Sequence, residues 1–435
     1  MNFQINPSKV SDSTITVPGD KSVSHRALML GGIATGKTNI KGFLAGKDCL
    51  STMTSMKSLG IKIEILDETE MSIHGVGLNG LSAPKTDLDL GNSGTAMRLM
   101  AGLLAGQEFS SNLIGDASLS GRPMGRIIKP LSQMGAIISS DENETPPLQI
   151  SGSSKLKAIH YDLPIASAQV KSSILLAGLY ADGTTSLIEP AITRDHTERM
   201  LISMGANVTK IGNKISIEGK PKIFGRNVNV PADLSSASFV ILAALISENA
   251  DILIKNVGIN PTRTGVLEIL KSMGADITLE KKLLISGEPV ADIRVRSSKL
   301  KGSAIDPKLV SLAIDEFPVL FVAAAASIGK TTFSGIGELR VKESDRITAM
   351  SKGLQNMGIK VDEYADGAVI YGGEFSGGLV QSFGDHRIAM SLAIAGTIAN
   401  DQIIVKDIES VDTSFPGFCE CMANIGANIR TIEAE

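Results

Sequence analysis

Cations that could grip an anion and carboxylates that could move a proton recur at glycine-bearing turns along the chain. The first such stretch is Val17-Pro18-Gly19-Asp20-Lys21-Ser22-Val23-Ser24-His25-Arg26. Pro18 and Gly19 break an extended segment, and Ala27-Leu28-Met29-Leu30 then reads as the core face of a helix. Ser22 is the predicted N-cap, which leaves unpaired backbone N–H groups near Lys21, Ser22 and Arg26. A helix start attracts anions, so the stretch is read as a pocket for an anionic small molecule. An ordinary surface turn is the alternative, and the other turns weaken it.

Leu90-Gly91-Asn92-Ser93-Gly94-Thr95-Ala96-Met97-Arg98 sets small residues just before a predicted helix, where backbone can approach a ligand. Gly121-Arg122-Pro123-Met124-Gly125-Arg126 offers cations on a constrained turn, and Ser167-Ala168-Gln169-Val170-Lys171 adds hydroxyl, amide and ammonium at another helix start. Ile314-Asp315-Glu316-Phe317-Pro318 sets a carboxylate at the edge of an apolar helix. Arg340-Val341-Lys342-Glu343-Ser344-Asp345-Arg346 and Gly384-Asp385-His386-Arg387 bring further charges to helix starts. Singly, each is an ordinary cap or ion pair. Together they suit two anions held between two halves of the chain, with proton transfer as the chemistry.

Composition narrows the class. The chain has 435 residues, 43% hydrophobic and 20% charged, as in soluble globular enzymes, and its length calls for two or three cores. A net charge of −4, 4% aromatics and no tryptophan argue against a nucleic-acid partner. Cys49, Cys419 and Cys421 form neither a disulfide framework nor a metal spacing, and no metal site is expected. Met1-Asn2-Phe3-Gln4 opens no signal peptide and no run is long enough to cross a bilayer, so a cytoplasmic location is expected.

The elements that must position these groups come as a repeat. A helical pattern ends at Gly60, Gly135, Gly205, Gly274, Gly358 and Gly426, which are 68 to 84 residues apart, each inside a Leu/Met/Ile-Gly-Ile/Ala phrase. A glycine there can take the left-handed conformation that closes a helix, and alternating strands such as Ile61-Lys62-Ile63-Glu64-Ile65 often follow. Three units sharing a core predict an α/β protein of two domains. One spans 18–230; the other joins 1–17 to 231–435. The chain would cross twice, near Pro18-Gly19 and within Asn227–Asp233, making a hinge beside a ligand cleft. Lys21, Arg122, Arg346 and Arg387 would then repel until a bound anion lets the domains close. Gly31-Gly32-Ile33-Ala34-Thr35-Gly36-Lys37-Thr38 matches the phosphate loop of nucleotide kinases, but here a helix precedes it and a strand follows. That order is reversed, and the match is set aside.

These motifs, in this order on six repeats, resemble the enolpyruvyl transferases, and among them the branch acting on shikimate 3-phosphate. The resemblance runs from Pro18 to about Pro416. It implies a two-domain inverse α/β barrel of six βαβαββ-type units, three per domain, in a monomer needing no cofactor. It also implies transfer of the enolpyruvyl group of phosphoenolpyruvate to the 5-hydroxyl of shikimate 3-phosphate with release of phosphate, on the route to chorismate and the aromatic amino acids. Carried over by position, Lys21, Ser22, Arg26, Ser167, Gln169, Arg194, Asp315 and Lys342 would hold shikimate 3-phosphate. Lys21, Gly94, Arg122, Gln169, Arg346 and Arg387 would hold phosphoenolpyruvate. Asp315 would accept the hydroxyl proton, Glu343 would shuttle a proton, and Lys21 would serve both substrates.

Departures exist. Val411-Asp412-Thr413-Ser414-Phe415-Pro416 lacks a lysine that some members carry before Phe-Pro, and Ala168 replaces a serine. The related transferase acting on UDP-N-acetylglucosamine is the nearest alternative, but the loop Ser118–Arg126 lacks its reactive cysteine. A non-catalytic binding module would not need Asp315 and Glu343 opposite arginines. Gly19-Asp20-Lys21, Ser167–Lys171, Arg194–Glu198 and Asn260–Arg263 resemble the glyphosate-tolerant class II branch. Gly94, where some tolerant members carry alanine, implies incomplete tolerance.

Overall fold

The computed structural model describes residues 1–152 and 155–433. It divides the chain into two compact units. The first is Gly19–Val230 with Ile285–Glu288, and the second is Met1–Pro18, Pro231–Leu284 and Pro289–Glu435. Each has its own apolar core, one around Leu28, Met100 and Ile174, the other around Phe239, Phe321 and Ile394.

The repeat has a direct structural form. All six repeat glycines adopt φ between +84° and +104°, and each is followed by a strand, Lys62–Ile65, Ile137–Ser139, Val208–Ile211, Asp276–Ile285, Val361–Tyr364 and Asn428–Ile432. Among the described residues six small sheets result, three in each unit, five of them four-stranded and one three-stranded. In each four-stranded sheet one edge strand runs parallel to its neighbour and the next pairing is antiparallel, as in Asn227–Asn229, Thr35–Lys41 and Met71–Val76. The short parallel bridge Ala304↔Thr332 stands where the three-stranded sheet lacks its fourth strand. Strand Asn2–Asn6 pairs on both sides with late segments, Ile403–Lys406 and Asn428–Ile432, and Ser13–Ile15 pairs with Asp251–Gly258.

Buried helices lie behind the sheets. Leu234–Ile246 and Phe317–Ala325 are apolar on nearly every face and carry no charge within the helix. None of the described helices is long and apolar enough to cross a membrane. The kinase-like stretch resolves as expected, because helix Lys21–Ile33 runs through Gly31-Gly32 and is followed by strand Thr35–Lys41.

Helices Gly94–Leu104 and Ala168–Gly178 meet at Gly102, where an added Cβ would lie 2.2 Å from the backbone oxygen of Ser173. Gly102→Ala gains about 1 kcal/mol of helix propensity. It also forces two backbones apart, an overpacking effect of about 1–3 kcal/mol that should dominate here because the obstacle is backbone. Urea denaturation should therefore show a net loss of stability; an unchanged or raised midpoint would contradict this packing.

Candidate active site

In the first unit, four helix starts gather the charged groups. Asp20, not the predicted Ser22, caps helix Lys21–Ile33, with its side chain accepting from the Val23 amide at 2.9 Å. Asp20 has the extended backbone a cap requires (φ −61°, ψ 120°), whereas Ser22 is already the second helical residue. Lys21, the first helical residue, is ion-paired with the buried carboxylate of Asp48. Ser24 is not at the surface: its hydroxyl accepts from the Leu44 amide at 3.0 Å.

Arg26 is buried and held by neutral oxygens. Its Nε donates to Thr197 Oγ1 at 2.7 Å, Nη1 to the Ser22 carbonyl at 2.9 Å, and Nη2 to Ser172 Oγ at 2.9 Å. These contacts tie helix Lys21–Ile33 to the helices Ala168–Gly178 and His196–Met204. Burial pulls its pKa down to about 10 against the attraction of Glu198 and Asp20, and the charge of Arg194 adds to the fall. A cation disfavoured in this way gains from an arriving anion.

Ser93 caps helix Gly94–Leu104 and Ser167 caps Ala168–Gly178, accepting from the Ala96 amide at 3.1 Å and the Val170 amide at 3.3 Å. Gln169 Oε1 accepts from Arg98 Nη1 at 2.6 Å and its amide donates to Thr95 at 2.9 Å. Arg122 donates to Asn92 Oδ1 at 2.7 Å and to Ser118 Oγ at 3.2 Å. A Cβ on Gly94 would stand 2.9 Å from Arg98 Nη1 and 3.1 Å from Arg122 Nη1. Gly94, Arg98, Arg122 and Gln169 thus form one cationic, hydrogen-bonding patch. Arg98 stands in its glycine stretch and Thr197 within Arg194–Glu198, neither with a role predicted for it; Asp48 has no local signal.

Lys171 departs from the sequence reading. Its ammonium is turned into the core, 3.1 Å from Glu189 Oε2, 2.9 Å from Glu198 Oε1 and 3.2 Å from the Thr193 carbonyl. With both carboxylates within reach, the buried charge is neutralised inside the protein.

The second unit carries the acids. Arg346 is fully buried, with Nε 2.8 Å from Asp385 Oδ2, Nη2 2.6 Å from Glu343 Oε2 and Nη1 3.4 Å from Asp315 Oδ1. Burial alone would lower its pKa, yet Asp385, Glu343 and Asp315 outweigh that and raise it. Burial likewise works against ionising Asp385, but Arg346 holds its pKa below the ordinary value. Arg387 Nη1 donates to the Asp315 carbonyl at 3.0 Å, and its Nη2 lies 3.9 Å from Asp315 Oδ2. Asp345 and Asp385 cap helices Arg346–Asn356 and His386–Gly396. Lys342 is half-buried on the turn before Glu343. Arg340, by contrast, is a clamp for that turn, bound to Asp345 at 2.6 Å, Glu363 at 3.0 Å and two carbonyls. Where a family lysine was missed, Thr413 is buried and donates to the Ser410 carbonyl at 2.6 Å.

Comparison with known proteins agrees along the whole chain. The model of a family described as EPSP synthase (3-phosphoshikimate 1-carboxyvinyltransferase) matches residues 5–422. The 3-phosphoshikimate 1-carboxyvinyltransferase of Hydrogenovibrio crunogenus is 53% identical over 440 residues, covering 100% of this chain and 99% of the relative. That of Methylococcus capsulatus is 53% identical over 428 residues, with 98% of each covered. A solved EPSP synthase from Acinetobacter baumannii superposes with a TM-score of 0.89 at 52% identity, covering 99% of each chain.

His25 lies under this cluster, fully buried, with Nδ1 2.8 Å from Thr52 Oγ1 and Nε2 3.4 Å from Ser93 Oγ. Burial first, then Lys21 and Arg26, holds its pKa well below 6.5, so it is neutral in the folded protein. The unfolded chain binds a proton that the folded one refuses, and stability present above pH 6.5 is lost as pH falls below it. As pH falls from 6.5 to 5 the wild type should lose more stability than His25→Gln, which has no imidazole to protonate on unfolding. Urea midpoints that move in parallel for the two proteins would rule this out.

Proposed function

The chain belongs to the EPSP synthase family, and we propose that its two charge clusters divide the work of that family's reaction. The protein transfers the enolpyruvyl group of phosphoenolpyruvate to shikimate 3-phosphate in aromatic biosynthesis. In the proposed assignment the first unit holds anions. Lys21, Ser22, Arg26, Ser167, Gln169 and Arg194 take shikimate 3-phosphate, aided by Asp315 and Lys342. Gly94, Arg122 and Gln169, with Lys21, Arg346 and Arg387, take phosphoenolpyruvate. Arginine forks match the phosphate and carboxylate oxygens of these ligands.

The second unit moves the protons. Asp315 accepts the proton of the 5-hydroxyl as its oxygen attacks the substituted carbon of phosphoenolpyruvate, while the methylene carbon is protonated. The tetrahedral ketal then loses phosphate and a proton, with Glu343 as shuttle. The observation that carries this reading is the sharing of one buried guanidinium, Arg346, by Asp315 and Glu343. An arginine that turns to an arriving anion weakens its hold on both carboxylates, and their basicity rises when substrate is in place. The chain is further proposed to act as a cytoplasmic monomer without cofactor, on small molecules alone.

Asp315→Asn keeps shape and hydrogen bonding but not basicity. Phosphate release from the two substrates should slow by about a hundredfold or more, the scale of general-base loss. The dissociation constant for shikimate 3-phosphate should change by far less. A variant with near-normal turnover would return Asp315 to the role of an arginine counter-ion.

A further inference from the structure

Glu316 follows Asp315 in the chain but is buried, with its side chain fully shielded from solvent. Its Oε1 accepts from Ser235 Oγ and lies 3.8 Å from Arg263 Nη2 and 3.8 Å from Arg387 Nη1. Its Oε2 accepts no hydrogen bond from the described residues. Arg263, also buried, donates to Ser235 Oγ at 2.7 Å and to Asp233 Oδ1 at 3.2 Å. Asp233 and Glu316 therefore bring two negative charges and Arg263 one positive charge. A buried carboxylate left without compensation is strongly unfavourable. Among the described residues the cations within 4 Å of Glu316 are Arg263 and Arg387, so Arg387 supplies the balance.

Arg387 is the more exposed partner. Its side chain is 12% exposed, its firm contact is one hydrogen bond to the Asp315 carbonyl, and its two carboxylate contacts lie at 3.8 Å and 3.9 Å. At those separations the attraction is charge on charge rather than hydrogen bonding. Such a field can fix where the guanidinium sits without occupying the N–H groups that a ligand needs.

We propose that Glu316 is a positioning residue. Held by Ser235 and Arg263, it is the buried counter-ion that fixes the guanidinium of Arg387 for phosphoenolpyruvate, with no part in holding shikimate 3-phosphate. The inference rests on the reading of Arg387 as a phosphoenolpyruvate ligand. A purely structural ion pair would affect stability and leave the two Michaelis constants in proportion.

Glu316→Gln removes the charge, keeps the volume and retains an acceptor for Ser235, while Asp233 and Arg263 still balance each other. The KM for phosphoenolpyruvate should rise by about tenfold, as expected when a preorganised charge contact is lost, and that for shikimate 3-phosphate should stay within about twofold. Glu316→Asp, which restores the charge at shorter reach, should recover part of the loss. Ser235→Ala, which leaves the charge but frees its orientation, should raise the first constant alone by a smaller factor, and it carries the test if Glu316→Gln does not fold. Arg387→Lys is measured alongside. If that variant leaves the KM for phosphoenolpyruvate unchanged, the ligand reading of Arg387 fails. If it raises that constant while the Glu316 and Ser235 variants move both constants equally, or neither, the positioning role of Glu316 is overturned.

Discussion

A guanidinium removed from water must be surrounded by its own counter-charges, and Arg346 obeys this with three carboxylates, Asp385, Glu343 and Asp315. Leaving such a charge uncompensated costs about 3–5 kcal/mol. The constraint fixes local structure. Asp385 must sit at the start of one helix and Arg346 at the start of another, with Glu343 on the turn before it. The acids proposed as proton carriers are thus in place because a buried cation requires them.

The two units use charge in opposite senses. Arg346 has more negative partners than its own charge needs, whereas Arg26 is held by hydroxyls and a carbonyl, and burial lowers its pKa to about 10. The first arrangement stores carboxylates whose basicity can change; the second keeps an appetite for an anion. His25, kept neutral beneath Lys21 and Arg26, adds no competing charge of its own. A reaction joining a phosphorylated acceptor to an anionic donor, with protons moved at the hydroxyl oxygen and at the methylene carbon, needs both kinds of site.

Much of this was legible in the chain because it is local. The six glycines take left-handed backbone, Ser167 caps its helix, and the reversed order of helix and strand disposes of the kinase-like stretch. Local reasoning failed where two side chains competed for one role. Ser22 and Asp20 both suit a cap, and only backbone geometry chose Asp20. It failed again where partners are far apart in sequence. Nothing near Lys171 announces Glu189 and Glu198, nothing near Lys21 announces Asp48, and Arg263 gives no hint of Glu316. Such pairs leave no periodicity, since they are made by packing of helices whose own patterns are satisfied without them.

The central claim is that Arg346 is held ready for phosphoenolpyruvate by buried carboxylates, and Asp385→Asn tests it most directly. Asparagine keeps the helix cap, because it is as good a capping residue as aspartate, and removes only the charge facing Arg346. With shikimate 3-phosphate saturating, the KM for phosphoenolpyruvate should rise at least about tenfold, the scale of one lost charge-assisted contact, in a variant that still unfolds cooperatively. An unchanged or lower KM would contradict the account.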